Sequence, residues 1–262
     1  MAPDPTLVAA FASARAAVLE RIAAACARAG RDPASVTLVA VSKTVDADRL
    51  RAAVAAGLTT LGENRVQEAV AKAPLVPGAD WHLVGHLQSN KARLALGTFE
   101  TIESVDSTDL AVRLDRLVGE SVSTAGAIGP SAGGEPAVVG RLPVLLQVNV
   151  DVDPAKAGFQ PDDLAGQLPA ILALSHLDVG GLMTVGRLAE TPEAARSTFI
   201  GLRELAASLR QAERGLGPAL SMGMTDDFEV AIEEGATIVR VGRALFGERP
   251  HVHDPGEHDH GP

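Results

Sequence analysis

Lys43 is the residue whose type and position most directly suggest chemistry. It ends the apolar run VTLVAVSK at 36–43, and strand alternation would place it on the same face as Val39 and Val41. An amine at the edge of an apolar interior loses hydration, which lowers its pKa and frees it to form an imine with a carbonyl compound. The alternative is a lysine whose stem packs on apolar surface while its ammonium group reaches solvent.

The segment SMGMTDD at 221–227 is a candidate anion site. Ser221 and Gly223 are small enough for backbone N–H groups to converge, Ser221 and Thr225 add hydroxyl groups, and a helix is expected from about Asp226. Such a segment can bind a phosphate with help from the positive end of the helix. The alternative is that its acidic residues only cap the helix.

Two further candidates are Arg240 and Asn64. Arg240 lies in the apolar run TIVRVGRALFG at 237–247, two residues before Gly242, so both residues point to one face of a strand. An arginine on an inward face needs a partner, and Gly242 can add another backbone N–H. Asn64 ends the short run TTLGEN at 59–64.

Eight short apolar or β-branched runs alternate with alanine-rich helical stretches along the 262 residues. The predicted strands are 36–43, 59–64, 81–87, 101–107, 143–150, 177–185, 219–225 and 237–247. The helical stretches include 46–56, 64–73, 108–118, 162–174, 192–214 and 226–234, and a leading amphipathic helix covers 6–29. This alternation predicts a parallel sheet, and eight such units close into a (β/α)8 TIM barrel. No glycine-rich GxGxxG or P-loop motif favours an open nucleotide-binding sheet.

The domain prediction is one barrel over 1–250, preceded by the extra N-terminal helix. The segment 119–140 is rich in Gly, Ser, Ala and Pro and is interpreted as a flexible surface insertion. The last residues, 251–262, hold four of the seven histidines among acids, prolines and glycines. A disordered tail is favoured there over a metal site, and no metal site is expected elsewhere.

Composition excludes several classes of partner. Thirty-three acidic against twenty-three basic residues give a net charge of −10, which disfavours nucleic acid and anionic membrane surfaces. The single cysteine, Cys26, excludes an intramolecular disulfide and suits a reducing compartment. With no export signal and no apolar run of bilayer length, a cytoplasmic location is expected.

Closure of the barrel makes the eighth strand the neighbour of the first. Lys43, the segment 221–225, Arg240 and Gly242 then share one sector of the barrel mouth, with Asn64 beside it. An imine-forming amine, a phosphate cradle and an arginine suit a ligand with an aldehyde, a phosphate and a heteroaromatic ring, which is pyridoxal 5′-phosphate (PLP). An aldolase that acts on a phosphorylated sugar through the same lysine is the alternative, although no acid–base partner is evident for it.

Six motifs then carry a resemblance to a known family. VSKT, GENRVQE, WHLVGHLQSNK, GLMTVG, SMGMTDD and VRVGRALFG resemble, in order and spacing, the motifs of the pyridoxal phosphate homeostasis family over about 36–250, apart from the 119–140 insertion. The resemblance implies a barrel like the N-terminal domain of alanine racemase, with PLP as a Schiff base on Lys43. His86 replaces the proline that other members have in this motif, and it is expected to make no ligand contact.

The same resemblance assigns the other site residues. Asn64 would contact the cofactor ring and Arg240 the pyridine nitrogen. The phosphate would be bound by Ser221, Met222, Gly223, Met224, Thr225, Gly242 and Arg243. Some relatives have a small hydroxyl residue where this chain has Arg243, so only the backbone N–H at 243 is expected to take part.

The predicted set of site residues argues against catalytic turnover of a substrate. A permanently protonated arginine cannot accept a proton from the ring nitrogen, so the ring stays neutral and is a poor electron sink. Alanine racemase pairs its lysine with a tyrosine, and this chain has none. His82 is expected to be packed or hydrogen-bonded, and His176 lies before a strand, at the end of the barrel away from the site; neither is a convincing second base.

The expected function is therefore non-catalytic. The sequence predicts a PLP-binding protein in vitamin B6 and amino-acid homeostasis that supplies PLP-dependent apoenzymes. The absence of the second, β-rich domain of alanine racemase favours a monomer. A weak PLP-dependent amino-acid racemase that uses Lys43 is the alternative.

Overall fold

Eight parallel strands form a closed barrel in which each strand pairs with the next in the chain and the last pairs with the first. The computed structural model describes residues 2–125, 140–186 and 190–247. The strands are β1 (Thr37–Val41), β2 (Thr60–Glu63), β3 (Asp80–Leu83), β4 (Thr101–Val105), β5 (Leu142–Gln147), β6 (Leu177–Met183), β7 (Ala219–Met224) and β8 (Ile238–Val241). The prediction of a single (β/α)8 barrel is confirmed.

The helices cover the outside of this barrel. They are α1 (Pro5–Arg28), α2 (Ala47–Ala55), α3 (Val66–Lys72), α4 (Ala92–Ala95), α5 (Thr108–Ala125), α6 (Pro161–Leu172), α7 (Arg196–Ala212), α8 (Phe228–Glu233) and α9 (Arg243–Phe246). Short 3-10 turns lie at Pro33–Ser35, Ala73–Leu75, Ser89–Lys91 and Pro192–Ala195. Among the described helices, none combines the length and the apolar character that a bilayer crossing requires.

The extra N-terminal helix, α1, lies over the sector that contains β7, β8 and β1. Its start is fixed by Asp4, whose carboxylate accepts the N–H of Thr6 at 2.8 Å, and by the proline that follows. It packs on α2, α8 and α9, the helices that follow those three strands. Its buried face includes Phe11, which meets Phe246 of α9 with ring centres 5.6 Å apart, and Cys26. The helix therefore backs the candidate site from outside.

Strand alternation separates a lumen face from a helix-packed face. In β1, Val39 stands beside Arg240 of β8, and a Cβ on Gly62 of β2 would lie 2.8 Å from Val39 Cγ1, so these positions face the lumen. Ala40 belongs to the core cluster between the sheet and the helices. The register shifts between Ser221 and Met224 of β7, which bulges the strand just before it leaves the barrel.

Several boundaries differ from the predicted ones. β1 and β8 end at Val41 and Val241, earlier than the runs that predicted them, because a turn follows β1 and helix α9 begins at Arg243 after β8. The helix expected from about Asp226 begins at Phe228. α5 continues to Ala125, into the segment predicted to be an irregular insertion. Residues 126–139 of that segment and the tail at 251–262 lie outside the described residues.

Candidate functional site

The structure brings the predicted site residues to one end of four adjacent strands, β7, β8, β1 and β2. β8 lies between β7 and β1, with Arg240 paired in register to Met224 on one side and to Val39 on the other. Lys43 and Gly242 follow β1 and β8, and Asn64 follows β2, the next strand round the barrel. All of them lie at the carboxyl ends of the strands, the end where barrels place their binding sites.

Lys43 lies in a turn that is anchored on both sides. It is partly buried, and the residue after it, Thr44, has a φ of 68°, in the left-handed region that β-branched residues disfavour. Before it, the hydroxyl of Ser42 donates to Glu63 Oε1 at 2.8 Å, and after it the Thr44 N–H donates to Glu68 Oε1 at 2.6 Å. The backbone that carries the amine is therefore held by two glutamates.

A lysine joins these two glutamates into a cluster. Lys72 Nζ donates to Glu63 Oε1 at 2.7 Å, to Glu68 Oε1 at 2.6 Å and to the Ser42 carbonyl at 3.0 Å. Burial raises the pKa of Glu63, and the bonds from Lys72 and Ser42 only partly offset that rise. Burial also acts on Glu68, but Lys72 and the Thr44 N–H outweigh it and lower the pKa of that carboxyl. Sequence reasoning missed this cluster, although a glutamate in the run TTLGEN was a signal.

The turns after β7 and β8 form the candidate anion cradle. Gly223 has a φ of 90°, and a Cβ there would lie 2.6 Å from Ala231 Cβ, so only glycine fits. The Gly242 N–H donates to Thr225 Oγ1 at 3.2 Å, which brings the two turns into contact. In this structure the Met224 N–H is also bonded, to Asp227 Oδ1 at 2.6 Å. An anion in the cradle would compete for these donors.

The side chains of Met222 and Met224, on either side of Gly223, differ in burial. Met222 is wholly buried in the helix-packed core, whereas Met224 is 39% exposed. Arg243, at the start of α9, pairs with Asp226. Its guanidinium is thus engaged beside the cradle, while its backbone lies directly after Gly242.

Arg240 is buried in the lumen and is held by a polar network. Its Nη1 donates to Ser221 Oγ at 2.6 Å and its Nη2 to the Thr184 carbonyl at 2.7 Å. The Ser221 hydroxyl donates in turn to Glu103 Oε2 at 2.5 Å, and His82 Nδ1 lies 2.7 Å from Glu103 Oε1. Arg240 therefore has the hydrogen-bond partners that we expected an inward-facing arginine to need. Ser221, which lies in β7, is part of this network.

The network sets the charge of the lumen. Burial raises the pKa of Glu103, but the hydrogen bond and charge of His82, with Arg240 and Ser221, reverse that effect and leave the pKa below its ordinary value. Burial lowers the pKa of Arg240, opposed by the carboxylates of Glu103 and Asp227. The positive charge of Arg240 is therefore compensated by the buried carboxylate of Glu103, and the Ser221 hydroxyl bridges the two side chains.

The histidines lie where the sequence placed them. His82 is bonded to Glu103 and is therefore hydrogen-bonded, as expected. His176 immediately precedes β6, at the opposite end of the barrel, and its ring lies 3.3 Å from Asp115. His86 is exposed and pairs with Asp106 at 2.8 Å. Glu103 was missed, because its partner Ser221 on β7 lies 118 residues further along the chain.

Comparison with known proteins places this geometry in a family. The model of the alanine racemase N-terminal domain matches residues 14–250. A pyridoxal phosphate homeostasis protein of Aquifex aeolicus is 40% identical over 234 residues, covering 88% of this chain and 95% of that protein. The structure of PipY from Synechococcus elongatus with PLP bound matches with a TM-score of 0.71 and 41% identity, covering 88% of this chain and all of that one.

A more distant likeness shows the fold alone. Alanine racemase from Corynebacterium glutamicum matches with a TM-score of 0.62 at 17% identity, over 93% of this chain and 62% of the racemase. The identity to the homeostasis protein, over nearly the whole of both chains, is far higher. This chain belongs to the alanine racemase N-terminal-domain family and, within it, to the pyridoxal phosphate homeostasis proteins.

Proposed function

We propose that this protein holds PLP as a Schiff base on Lys43 and serves as a reservoir or delivery protein in vitamin B6 and amino-acid homeostasis. The observation that carries the proposal is the placement of Lys43, Arg240 and the touching turns at Thr225 and Gly242 on adjacent strands. A relative with the same fold binds PLP. When bound, the cofactor supplies an aldehyde carbon that accepts an amine.

The residues present fit this cofactor chemically. The turn at Lys43 offers an amine, and the cradle offers the N–H groups of Met224 and Gly242, for which an anion would compete with Asp227 and Thr225. Arg240 offers a guanidinium in the lumen whose orientation is fixed by Ser221 and by the Thr184 carbonyl. Amine, anion donors and a ring donor therefore converge from one sector.

Each proposed contact is the one that the family resemblance implies. Asn64 and Arg240 would contact the ring, with Arg240 donating to the pyridine nitrogen. The phosphate would be bound by the backbone or hydroxyl groups of Ser221, Met222, Gly223, Met224, Thr225, Gly242 and Arg243. The Ser221 hydroxyl also orients Arg240, to which it is bonded at 2.6 Å.

We propose that turnover is weak or absent, because the part of the chain that the structure describes offers no second base opposite Lys43. His82 is committed to Glu103, His86 to Asp106, and His176 lies at the far end of the barrel. The chain has no tyrosine. A guanidinium on the ring nitrogen keeps the ring neutral, which disfavours carbanion chemistry.

The cellular proposals are a cytoplasmic monomer and transfer of PLP to PLP-dependent apoenzymes. All the residues that would hold the cofactor come from one barrel, so the site is complete within one chain. The single cysteine is buried and makes no disulfide, which suits a reducing compartment.

Borohydride labelling tests the function directly. Purified full-length protein loaded with PLP should be yellow, and reduction should fix the cofactor on Lys43, as located by peptide mass spectrometry. Lys43→Ala should lose both signals, whereas Lys156→Ala, a lysine removal elsewhere, should keep them. An adduct on another lysine would overturn the proposal. Sustained amino-acid racemisation that is lost in Lys43→Ala would overturn its non-catalytic part.

A further inference from the structure

Side chains from four strands form one line of hydrogen bonds across the barrel lumen. They are His82 on β3, Glu103 on β4, Ser221 on β7 and Arg240 on β8. His82 faces the lumen, because it stands in register with Gly62, a lumen position of β2. The proposed cofactor contacts use Ser221 and Arg240 and leave His82 and Glu103 without a role.

The hydrogen bonds in this line determine what each partner can donate. A serine hydroxyl carries a single proton, and Ser221 donates it to Glu103 Oε2 at 2.5 Å. The Ser221 oxygen is then left as an acceptor, and Arg240 Nη1 donates to it at 2.6 Å. Arg240 Nη2 donates to the Thr184 carbonyl at 2.7 Å. A guanidinium has more N–H groups than these two bonds use, so Arg240 keeps donors for a ligand.

Glu103 and Arg240 are both buried and of opposite charge, yet they do not contact each other directly. A carboxylate and a guanidinium commonly pair through two parallel N–H···O bonds. Within the described residues, no ion pair joins Glu103 to Arg240, and the Ser221 hydroxyl lies between them. The other oxygen of Glu103, Oε1, lies 2.7 Å from His82 Nδ1. A carboxylate that is held at both oxygens cannot turn to present both of them to Arg240.

We propose that His82 is a positioning residue, which prevents Arg240 from pairing directly with Glu103 and so keeps its guanidinium available to the cofactor ring. The proposal rests on the proposed function. Without the N–H of His82, Glu103 Oε1 would be released, and the carboxylate would form the two-bond pair with the guanidinium. The donors of Arg240 would then turn away from the ring nitrogen. His82 therefore strengthens cofactor binding by acting through Glu103.

A cofactor analogue with a CH group in place of the ring nitrogen isolates this role. Equilibrium dialysis of the full-length protein gives the dissociation constants of PLP and of the analogue. His82→Phe keeps a ring but removes the N–H, and it should weaken PLP binding about tenfold, as expected for loss of one charge-assisted hydrogen bond. It should leave the binding of the analogue unchanged, because the analogue has no ring nitrogen to accept from Arg240. A general loss of structure would weaken both ligands equally.

Two further variants separate the hydrogen bond from the loss of a histidine. His82→Asn keeps an N–H donor close to the position of Nδ1 and should recover most of the PLP affinity that His82→Phe loses. His176→Phe is the matched control, since its ring also lies beside a carboxylate, that of Asp115, but at the opposite end of the barrel. It should bind both ligands as the wild type does. If His82→Phe does not fold, His82→Leu takes its place in the same comparison.

The outcomes separate this proposal from the proposed function. Equal weakening of PLP and the analogue in His82→Phe, or no weakening of either, overturns the role of His82 while Lys43 still carries the borohydride adduct. PLP binding in His82→Asn as weak as in His82→Phe overturns it as well. Absence of the adduct on Lys43 in the wild type overturns the proposed function, and the role of His82 with it.

Discussion

Glu63 and Glu103 lie on opposite sides of the barrel wall, and both are wholly buried, yet their pKa values are displaced in opposite directions. Glu103 faces the lumen and has both oxygens bonded, one to His82 and one to Ser221. Glu63 faces α3 and has Ser42 and Lys72 on one oxygen, while its Oε2 has no partner among the described residues. Burial alone raises the pKa of both, so the partners decide the outcome.

This difference separates two kinds of support for the site. In the lumen, the charges of Glu103 and Arg240 balance, and the Ser221 hydroxyl between them orients the guanidinium. Outside the sheet, two glutamates share the single ammonium of Lys72, and Glu63 can take up a proton. The first cluster fixes Arg240, the proposed ring donor, and the second holds the turn that carries Lys43.

The largest expected effect follows from removal of the lumen carboxylate. Glu103→Gln keeps the side-chain shape but removes the carboxylate that acts most strongly on the buried Arg240 guanidinium, which costs about 3 to 5 kcal/mol of unfolding free energy. Urea unfolding of the cofactor-free protein measures it. Glu120→Gln, which removes an exposed carboxylate with two arginine partners, is the control. A loss in Glu103→Gln no larger than in the control would mean that the lumen charges are independent.

Removal of the shared ammonium should cost somewhat less. Lys72→Met leaves Glu63 buried with its charge uncompensated, and we expect a loss of about 2 to 3 kcal/mol in urea unfolding. Adding Glu63→Gln to this variant removes the stranded charge and should restore part of the loss. If the losses of unfolding free energy in the two single variants add up to that of the double variant within about 0.5 kcal/mol, Lys72 and Glu63 do not interact as described.

The two glutamates should also give opposite pH dependence. The folded-state pKa of Glu63 is raised, so its contribution to stability is present below the unfolded value of about 4.3 and is lost as pH rises through the folded value. The folded-state pKa of Glu103 is lowered, so its contribution is present above about 4.3 and is lost as pH falls through the folded value.

Gln variants do not titrate, so they isolate each carboxyl. As pH rises from acid to neutral, the wild type should lose stability relative to Glu63→Gln and gain stability relative to Glu103→Gln. Denaturant midpoints of the three proteins across this range measure both differences. Slopes of the same sign would show that burial, and not the partners, controls both groups.

The contrast between the clusters also explains how much the sequence could predict. Apolar periodicity, strand number and closure follow from local patterns, so the barrel and the sector with Lys43, Arg240 and Gly242 were predictable. The inward direction of Arg240 followed from alternation within one strand. These inferences needed only local patterns and the pairing of the first and last strands that closure of an eight-stranded barrel requires.

The parts that were missed depend on long-range register. Ser221 and Glu103 are 118 residues apart, and their hydrogen bond depends on how β4 and β7 face each other across the lumen of the closed barrel. The turn geometry at Thr44 depends on Glu68, 24 residues later. Local propensity also disfavours a left-handed threonine, so no sequence pattern indicated it.

The smallest expected effect comes from Arg196, which has three charged partners but is more exposed to solvent than Glu103. Arg196 contacts Glu193, Glu233 and Glu234, and these bonds raise its pKa, yet the side chain is 26% exposed. Solvent screens such pairs, so Arg196→Ala should cost no more than about 1 kcal/mol in urea unfolding, and the difference should shrink in 1 M salt. A loss as large as that of Glu103→Gln would mean that the number of charged partners, and not their burial, governs the energy of both networks.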